Sequence, residues 1–447
     1  MSKKHPIQLS DHFTYGRMLR FTLPSIIMML FSSIYVIVDG LFVANYVGSN
    51  ALAATNIFYP ATALVSALGF MLGIGGNAEV AKTLGEGKKE LACKYFSMII
   101  TAIVTISLVF SILGAIFIEP ICYLLGASDA LIGYCTTYGK IIVFGAVPFM
   151  LQITFQVFCI TAERPNLGLL CTIGAGCTNI ILDYFFVAVF HWGIAGAASA
   201  TVIGYCVGGL IPLIYFLSPN ESLLRLTKPK LYPRVLGHSA VNGSSEMVSN
   251  LSYGVVTFLY NLQLMRLAGE TGVAAIAVIM YVNMIFTAIL MGFSIGIGPV
   301  IGFHYGAQNK EELQNLFRRC MKMIAVTSIF TVIAAQIAAG PVTDIFCKGD
   351  ATLEAMTTKG FHIFSIAFLF CGFNIFGSCF FTSLCNGKIS AAISFLRTLL
   401  MEAGMILLLP LIFGLNGIFM AVPVTEIVTL GVTTIFLITQ RKKYGYI

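Results

Sequence analysis

Two aspartates, Asp39 and Asp183, lie inside runs of residues apolar enough to sit in lipid. An ionised carboxylate at mid-bilayer costs roughly 2.5 to 3.5 kcal/mol on insertion scales, so each needs a partner, water or a task. Partners are close in sequence. Asn179 precedes Asp183 by four residues and shares its helical face, while Thr201 lies on the next apolar segment, folded back by the turn at His191, Trp192 and Gly193. Ser32, Tyr35 and Asp39 follow i, i+3, i+7 spacing and line one side of the first apolar run. An alternative leaves Asp39 hydrated at the outer edge of that run. If the two acids meet away from water, they can hold a proton between them near neutral pH. With the neutral oxygens of Asn179 and Thr201 the same shell suits a hard cation such as Na⁺, and the residue types do not choose between the two ions.

Other polar side chains form stripes at helical spacing. Asn242, Glu246, Asn250 and Tyr253 recur at i, i+4, i+8, i+11. Glu246 either attracts a cationic substrate in a low-dielectric cleft or stands as a hydrated charge at its mouth. Gln152 and Gln156 make a weaker stripe, best read as buried amides bridging helices. Glu402 and Glu426 are further intramembrane acids with no evident partner, although Arg397 is close in sequence to Glu402. The 36 phenylalanines, 18 tyrosines and 18 methionines supply enough aromatic and soft surface for an adaptable pocket, although most must face lipid or core. Gly73 to Gly76 continue an apolar helix without a following Lys-Ser or Lys-Thr pair, so close helix packing is expected there, not phosphate binding. With no Walker motif, nucleophile elbow or HExxH, neither an ATP-driven pump nor a membrane enzyme is expected, and no organic cofactor or bound metal is called for.

The elements that must position these residues follow from composition. Of 447 residues 58% are hydrophobic and 10% charged, with a mean hydropathy of +0.91, which defines an integral membrane protein. The apolar runs suit helices, not the short alternating strands of outer-membrane barrels. Twelve spans are expected, near 17–44, 52–82, 94–118, 131–160, 168–190, 194–217, 237–265, 273–303, 316–340, 357–384, 391–413 and 417–439. The first of them is too long for a removable signal peptide and is expected to be retained. With both termini cytoplasmic, all but four of the 26 basic residues fall inside, the exceptions being Lys140, Arg266, Lys348 and Lys359. The net charge of +7 is thereby a matter of topology, and no nucleic-acid partner is expected. Twelve cysteines fall singly in apolar runs without metal-ligand spacing and read as packing residues.

A repeat emerges at an offset of 221. Gly48, Ala53, Ala54, Ala67, Ile74, Gly75, Gly85, Lys89 and Glu90 meet identical residues at Gly269, Ala274, Ala275, Ala288, Ile295, Gly296, Gly306, Lys310 and Glu311. Further on the offset is 224, where Gly193, Ile194, Ala197 and Thr201 face Gly417, Ile418, Ala421 and Thr425. The expected organisation is an N-terminal six-helix lobe over 1–217, a cytoplasmic linker over 218–236 and a C-terminal six-helix lobe over 237–447, a parallel repeat with a cleft between its halves.

Taken together, Pro24 with Asp39, Gly85 to Glu90, Asn179 with Asp183, and Gly193 to Thr201 are similar in order and spacing to landmarks of the multidrug and toxic compound extrusion (MATE) family, over essentially the whole chain. The resemblance implies an all-α protein of twelve transmembrane helices in two lobes around a V-shaped central cleft. It implies an ion-coupled antiporter, exporting cationic or amphipathic compounds across a bacterial cytoplasmic membrane in exchange for H⁺ or Na⁺. Asp39, Asn179, Asp183 and Thr201 match the family's first-lobe cation site. Glu246 matches an acid in the seventh span of some branches, while Asn374 stands where those branches carry a second-lobe acid. A substrate cavity lined by Tyr35, Tyr138, Gln152, Gln156, Glu246, Asn250 and Asn374 is expected, with small amphipathic molecules and membrane lipids as partners and a monomer as the working state. The rival is a lipid-linked saccharide flippase of the same superfamily, whose headgroup would call for a basic lining, whereas these positions are neutral or acidic.

Overall fold

The structure, a computed structural model, describes residues 7–347 and 350–447. Lys3, Lys4 and Lys348, used above in the topology argument, lie outside the described residues. Those described are nearly all helical. Spans 1, 2 and 3 are Tyr15–Val47, Ser49–Gly85 and Lys89–Ile116, followed by the short helix Ile118–Leu124. Span 4 is bent by 55° between Ile132–Phe144 and Ala146–Thr161, and spans 5 and 6 are Pro165–Val189 and Gly193–Leu217. After a short helix Pro233–Asn242 comes the stretch Ser244–Gly306, too long for a single span. At 1.5 Å per residue its 63 residues would reach about 95 Å, three times the apolar thickness of a bilayer. It turns at Gly269 (φ 62°, ψ −153°), and Tyr260 and Leu264 before the turn pack in one core with Ile276 and Ile279 after it. The run is therefore spans 7 (244–268) and 8 (270–306). Lys310–Phe346, Ala351–Ser383, Gly387–Phe413 and Leu415–Tyr444 complete the twelve as spans 9 to 12.

The repeat is structural as well as sequential. Gly48 and Gly269, identical at offset 221, both take positive φ at the turn between the first two spans of their half. Gly85 and Gly306, another matched pair, cross at the seam between halves. A Cβ on Gly85 would strike the Phe303 carbonyl, and one on Gly306 the Lys82 carbonyl, so only glycine lets the backbones approach there. Gly75 likewise abuts Ser239 and Gly243, so this glycine run serves helix packing. Gly306→Val forces the spans apart and is expected to cost about 1 to 3 kcal/mol. In thermal unfolding of the purified protein it should melt below Gly340→Val, whose Cβ meets nothing within 4 Å. Equal melting would show that the seam tolerates side chains.

These contacts gather at the face of the bundle that carries both chain ends. There the Phe13 N–H donates to Glu312 Oε1 (2.9 Å), His12 Nδ1 lies 2.5 Å from Glu312 Oε2, and His238 pairs with Glu79, each tie joining the two halves. At the opposite face Leu41, Tyr46, Tyr59, Tyr253 and Phe258 are exposed. Among the described residues the side-chain hydrogen bonds between the two lobes all lie toward the terminal face and none joins them at the other, in keeping with a V-shaped cleft.

Candidate functional site

The site is built by three spans of the first half. Span 1 stays α-helical through Asp39 and Gly40, then widens into a π-helix over Val43–Val47 that ends at Gly48. Span 5 does the same just after Asp183, over Tyr184–Val189. Extra residues of this kind re-aim side chains without breaking a helix, and they cluster at functional sites. His191 (φ 54°) and Gly193 (φ 59°) then make the turn that returns span 6 alongside span 5.

The expected four residues converge. Asn179 Nδ2 lies 3.5 Å from Asp39 Oδ1 and 3.5 Å from Thr201 Oγ1, and the Thr201 hydroxyl lies 3.4 Å from the same Asp39 oxygen. Asp183 is 0% exposed, adjoins Asp39 and Asn179, and neither of its carboxyl oxygens has a hydrogen-bond partner. Asn179 Oδ1 is equally unpaired. The contacts are at the long limit of hydrogen bonding, and acceptors outnumber donors. A buried cluster of this kind is satisfied by adding positive charge, whether a proton on one carboxyl or a small cation among the oxygens. Asp39 itself is half-buried, and both Asn179 and Thr201 address its Oδ1.

A void of about 10 Å³, room for about one water, borders Asn179 and Thr201 and is also lined by Tyr35, Gln152 and Tyr205. Gln152 Oε1 is unpaired. Tyr138 packs edge-on against Phe58 (6.0 Å between centroids) near both aspartates. Tyr205 went unnamed in the sequence, although its i+4 spacing from Thr201 marks the same face.

The remaining cavity candidates divide. Gln156 donates to Thr172 Oγ1 (3.3 Å) and so bridges spans 4 and 5, as its stripe implied, and it is buried away from the cleft. Asn374 is fully buried and bonded through both ends of its amide. Its Nδ2 donates to Glu426 Oε2 (2.7 Å) and to the Glu426 carbonyl (2.9 Å), while its Oδ1 accepts from Thr433 (2.9 Å). It ties span 10 to span 12 of the second half and, at 0% exposure, does not face the cleft in this conformation. Glu246 and Asn250 are half-buried, and Asn250 Nδ2 donates to the Glu246 carbonyl (2.9 Å). Glu426, without a partner in the sequence reading, has one: both Nε and Nη2 of Arg397 reach its Oε1 at 2.8 Å. Nearness in sequence pointed the arginine at Glu402, whereas span packing gives it to Glu426, 29 residues on.

Two six-helix lobes that close at one face and part at the other, with an acid pair buried in one lobe beside the cleft, have the build of a membrane transporter. The MatE family model matches residues 24–185 and again 247–407, once in each half, and the chain belongs to that family. It is 24% identical over 410 residues to the multidrug export protein MepA of Staphylococcus saprophyticus, covering 90% of this chain and 87% of that one. Its fold matches a MATE crystal structure in complex with MaL6 at a TM-score of 0.91 and 20% identity, over 96% of both chains. An outward-facing multidrug resistance MATE family transporter of the MOP superfamily matches at 0.89 and 21% identity, again over 96% of each.

Proposed function

We propose that this protein is a secondary active antiporter of the bacterial cytoplasmic membrane. It exports amphipathic or cationic compounds as a monomer, in exchange for H⁺ or Na⁺ bound at Asp39, Asn179, Asp183 and Thr201. The observation that carries this reading is the acceptor-rich cluster around Asp183, buried in protein yet next to the cleft. The multidrug export named for the staphylococcal relatives supports the substrate class. With both termini cytoplasmic, the sealed terminal face is the inner gate and the open face looks outward.

The ion favours one arrangement of the lobe and the substrate another, so that each drives out the other, and an effector shifts a conformation only by its differential affinity. The flippase reading finds less support. Arg397, within span 11, is 21% exposed and already engaged by Glu426, which leaves it little free positive charge for a phosphorylated headgroup.

Export of a fluorescent organic cation from vesicles under imposed proton or sodium gradients tests the proposal. One gradient is expected to drive export. Indifference to both would remove ion coupling.

A further inference from the structure

Residues 7–14, which lead into span 1, form no helix and yet are tied down along their length. Leading segments are ordinarily among the least ordered parts of a domain, so ties of this number call for a reason. The Leu9 N–H donates to Glu163 Oε1 (2.6 Å) in the loop between spans 4 and 5, which belongs to the first lobe. The other ties go to span 9 of the second lobe: the Phe13 N–H donates to Glu312 Oε1 (2.9 Å), His12 Nδ1 meets Glu312 Oε2 (2.5 Å), and Asn315 Nδ2 donates to the Phe13 carbonyl (3.0 Å). Ser10, His12 and Thr14 are exposed, whereas Leu9 and Phe13 are 0% exposed and share one core with Phe293, Leu313, Leu316 and Phe317 of the second lobe.

The segment therefore straps one lobe to the other before its chain enters the membrane. Span 1 continues the crossing. A Cβ on Gly292 or Gly296 of span 8 would strike Ile26 or Ser25, so the inner half of span 1 lodges against the second lobe while Asp39, further along, meets Asn179 in the first. The other half of the repeat shows the same habit. The linker that leads into span 7 is moored to span 3, the repeat partner of span 9: the Thr227 N–H donates to Ser97 Oγ (2.8 Å), Tyr95 and Tyr232 meet edge-on at 5.2 Å between centroids, and Leu224 is fully buried. Each lobe's first span is thus led in over the third span of the opposite lobe. Glu163, which catches the strap, holds a left-handed φ of 58°, a strained conformation for a residue other than glycine.

We propose that residues 7–14 are a latch on the inner gate, a strap that holds the lobes together at the terminal face and must lift for the cleft to open there. The chemistry suits a reversible hold. Glu312 is 8% exposed beneath a His12 side chain that is 58% exposed, so water takes the strap's place on the carboxylate once the strap lifts. Release therefore costs less than breaking a pair that stays buried, such as Arg397 and Glu426. The apolar anchors set the closed state, because opening must uncover Leu9 and Phe13 to water. The strap runs straight into the helix that carries Asp39, so the occupant of that site and the latch act on one element. That the terminal face opens at all rests on the proposed function, whereas the hold of the strap on the seam does not.

Hydrogen–deuterium exchange of the purified full-length protein, read by mass spectrometry, follows the strap and the seam without any transport. Leu9→Ala/Phe13→Ala is expected to speed exchange roughly tenfold or more in 7–14 and also at 79–85 and 300–306, the inner ends of spans 2 and 8 around Gly85 and Gly306. The outer ends of the spans should exchange as before. Phe13→Leu, which keeps an apolar anchor, should behave like wild type. A general rise along every span would report unfolding, and Glu312→Ala, which removes the ties but leaves both anchors, then decides by the same measure. Fast exchange confined to 7–14, with the seam as slow as in wild type, overturns the latch. For the lifting step, His12→Cys/Glu312→Cys protein joined by a short reducible bis-maleimide is expected to stop dye export and to regain it on reduction. Each single variant, treated alike, is the control for the native thiols. Export that continues through the joined strap overturns the need to lift. If no gradient drives export even in the wild type, the antiport reading falls, and the latch stands or falls on exchange alone.

Discussion

Asp183→Asn is expected to leave the protein folded and as stable as wild type while gradient-driven export collapses. An amide in place of the carboxylate brings its own donor to Asp39, so the surplus of acceptors is relieved without any bound ion. Wild-type Asp183 has two unpaired oxygens at 0% exposure, an arrangement that favours whatever supplies positive charge. Hydrogen bonds to a charged group are worth about 1.5 to 3 kcal/mol, so losing one such ligand should weaken ion binding roughly 10- to 100-fold. Asp39→Asn should act alike, because Asn179 and Thr201 both address its Oδ1. Export measured at equal expression, beside thermal unfolding of purified protein, checks both halves of this expectation. Wild-type export by both variants would take the pair out of the mechanism, and unfolding of both would make it a structural pair only.

The second large effect is on stability. Arg397→Met leaves Glu426, buried and held by Asn374, without its counter-charge, and breaking a buried pair from one side costs about 3 to 5 kcal/mol. The double variant Arg397→Met/Glu426→Leu removes both charges and should recover much of that loss, because an apolar pair of similar volume often matches a buried ion pair. Thermal unfolding in detergent measures all three proteins. An Arg397→Met protein that melts like wild type would mean that water reaches the pair and screens it.

Several features were legible before any coordinates. A carboxylate among apolar residues stands out because the bilayer makes it costly, which singled out Asp39 and Asp183. Asn179 was tied to Asp183 by helical spacing alone. The paired glycines were legible as a repeat, and their reason appeared only when Gly85 and Gly306 were seen crossing at the seam. Gln156 kept the bridging role its stripe suggested, while Asn374 turned from a cavity wall into a brace, since Glu426 and Thr433 reach it from span 12.

Local rules account for that division. Hydropathy, helical period and residue identity at fixed offset act along the chain, so twelve spans, two like halves and the turn at Gly269 were set by the sequence itself. Which acids meet, and which keep a partner, depends on how helices distant in sequence rotate and approach. Arg397 lies five residues from Glu402 yet bonds to Glu426, and Asp39 finds Asn179 from 140 residues away. Those choices belong to packing, because a side chain bonds whatever the neighbouring helix brings within about 3 Å, and sequence distance has no part in that.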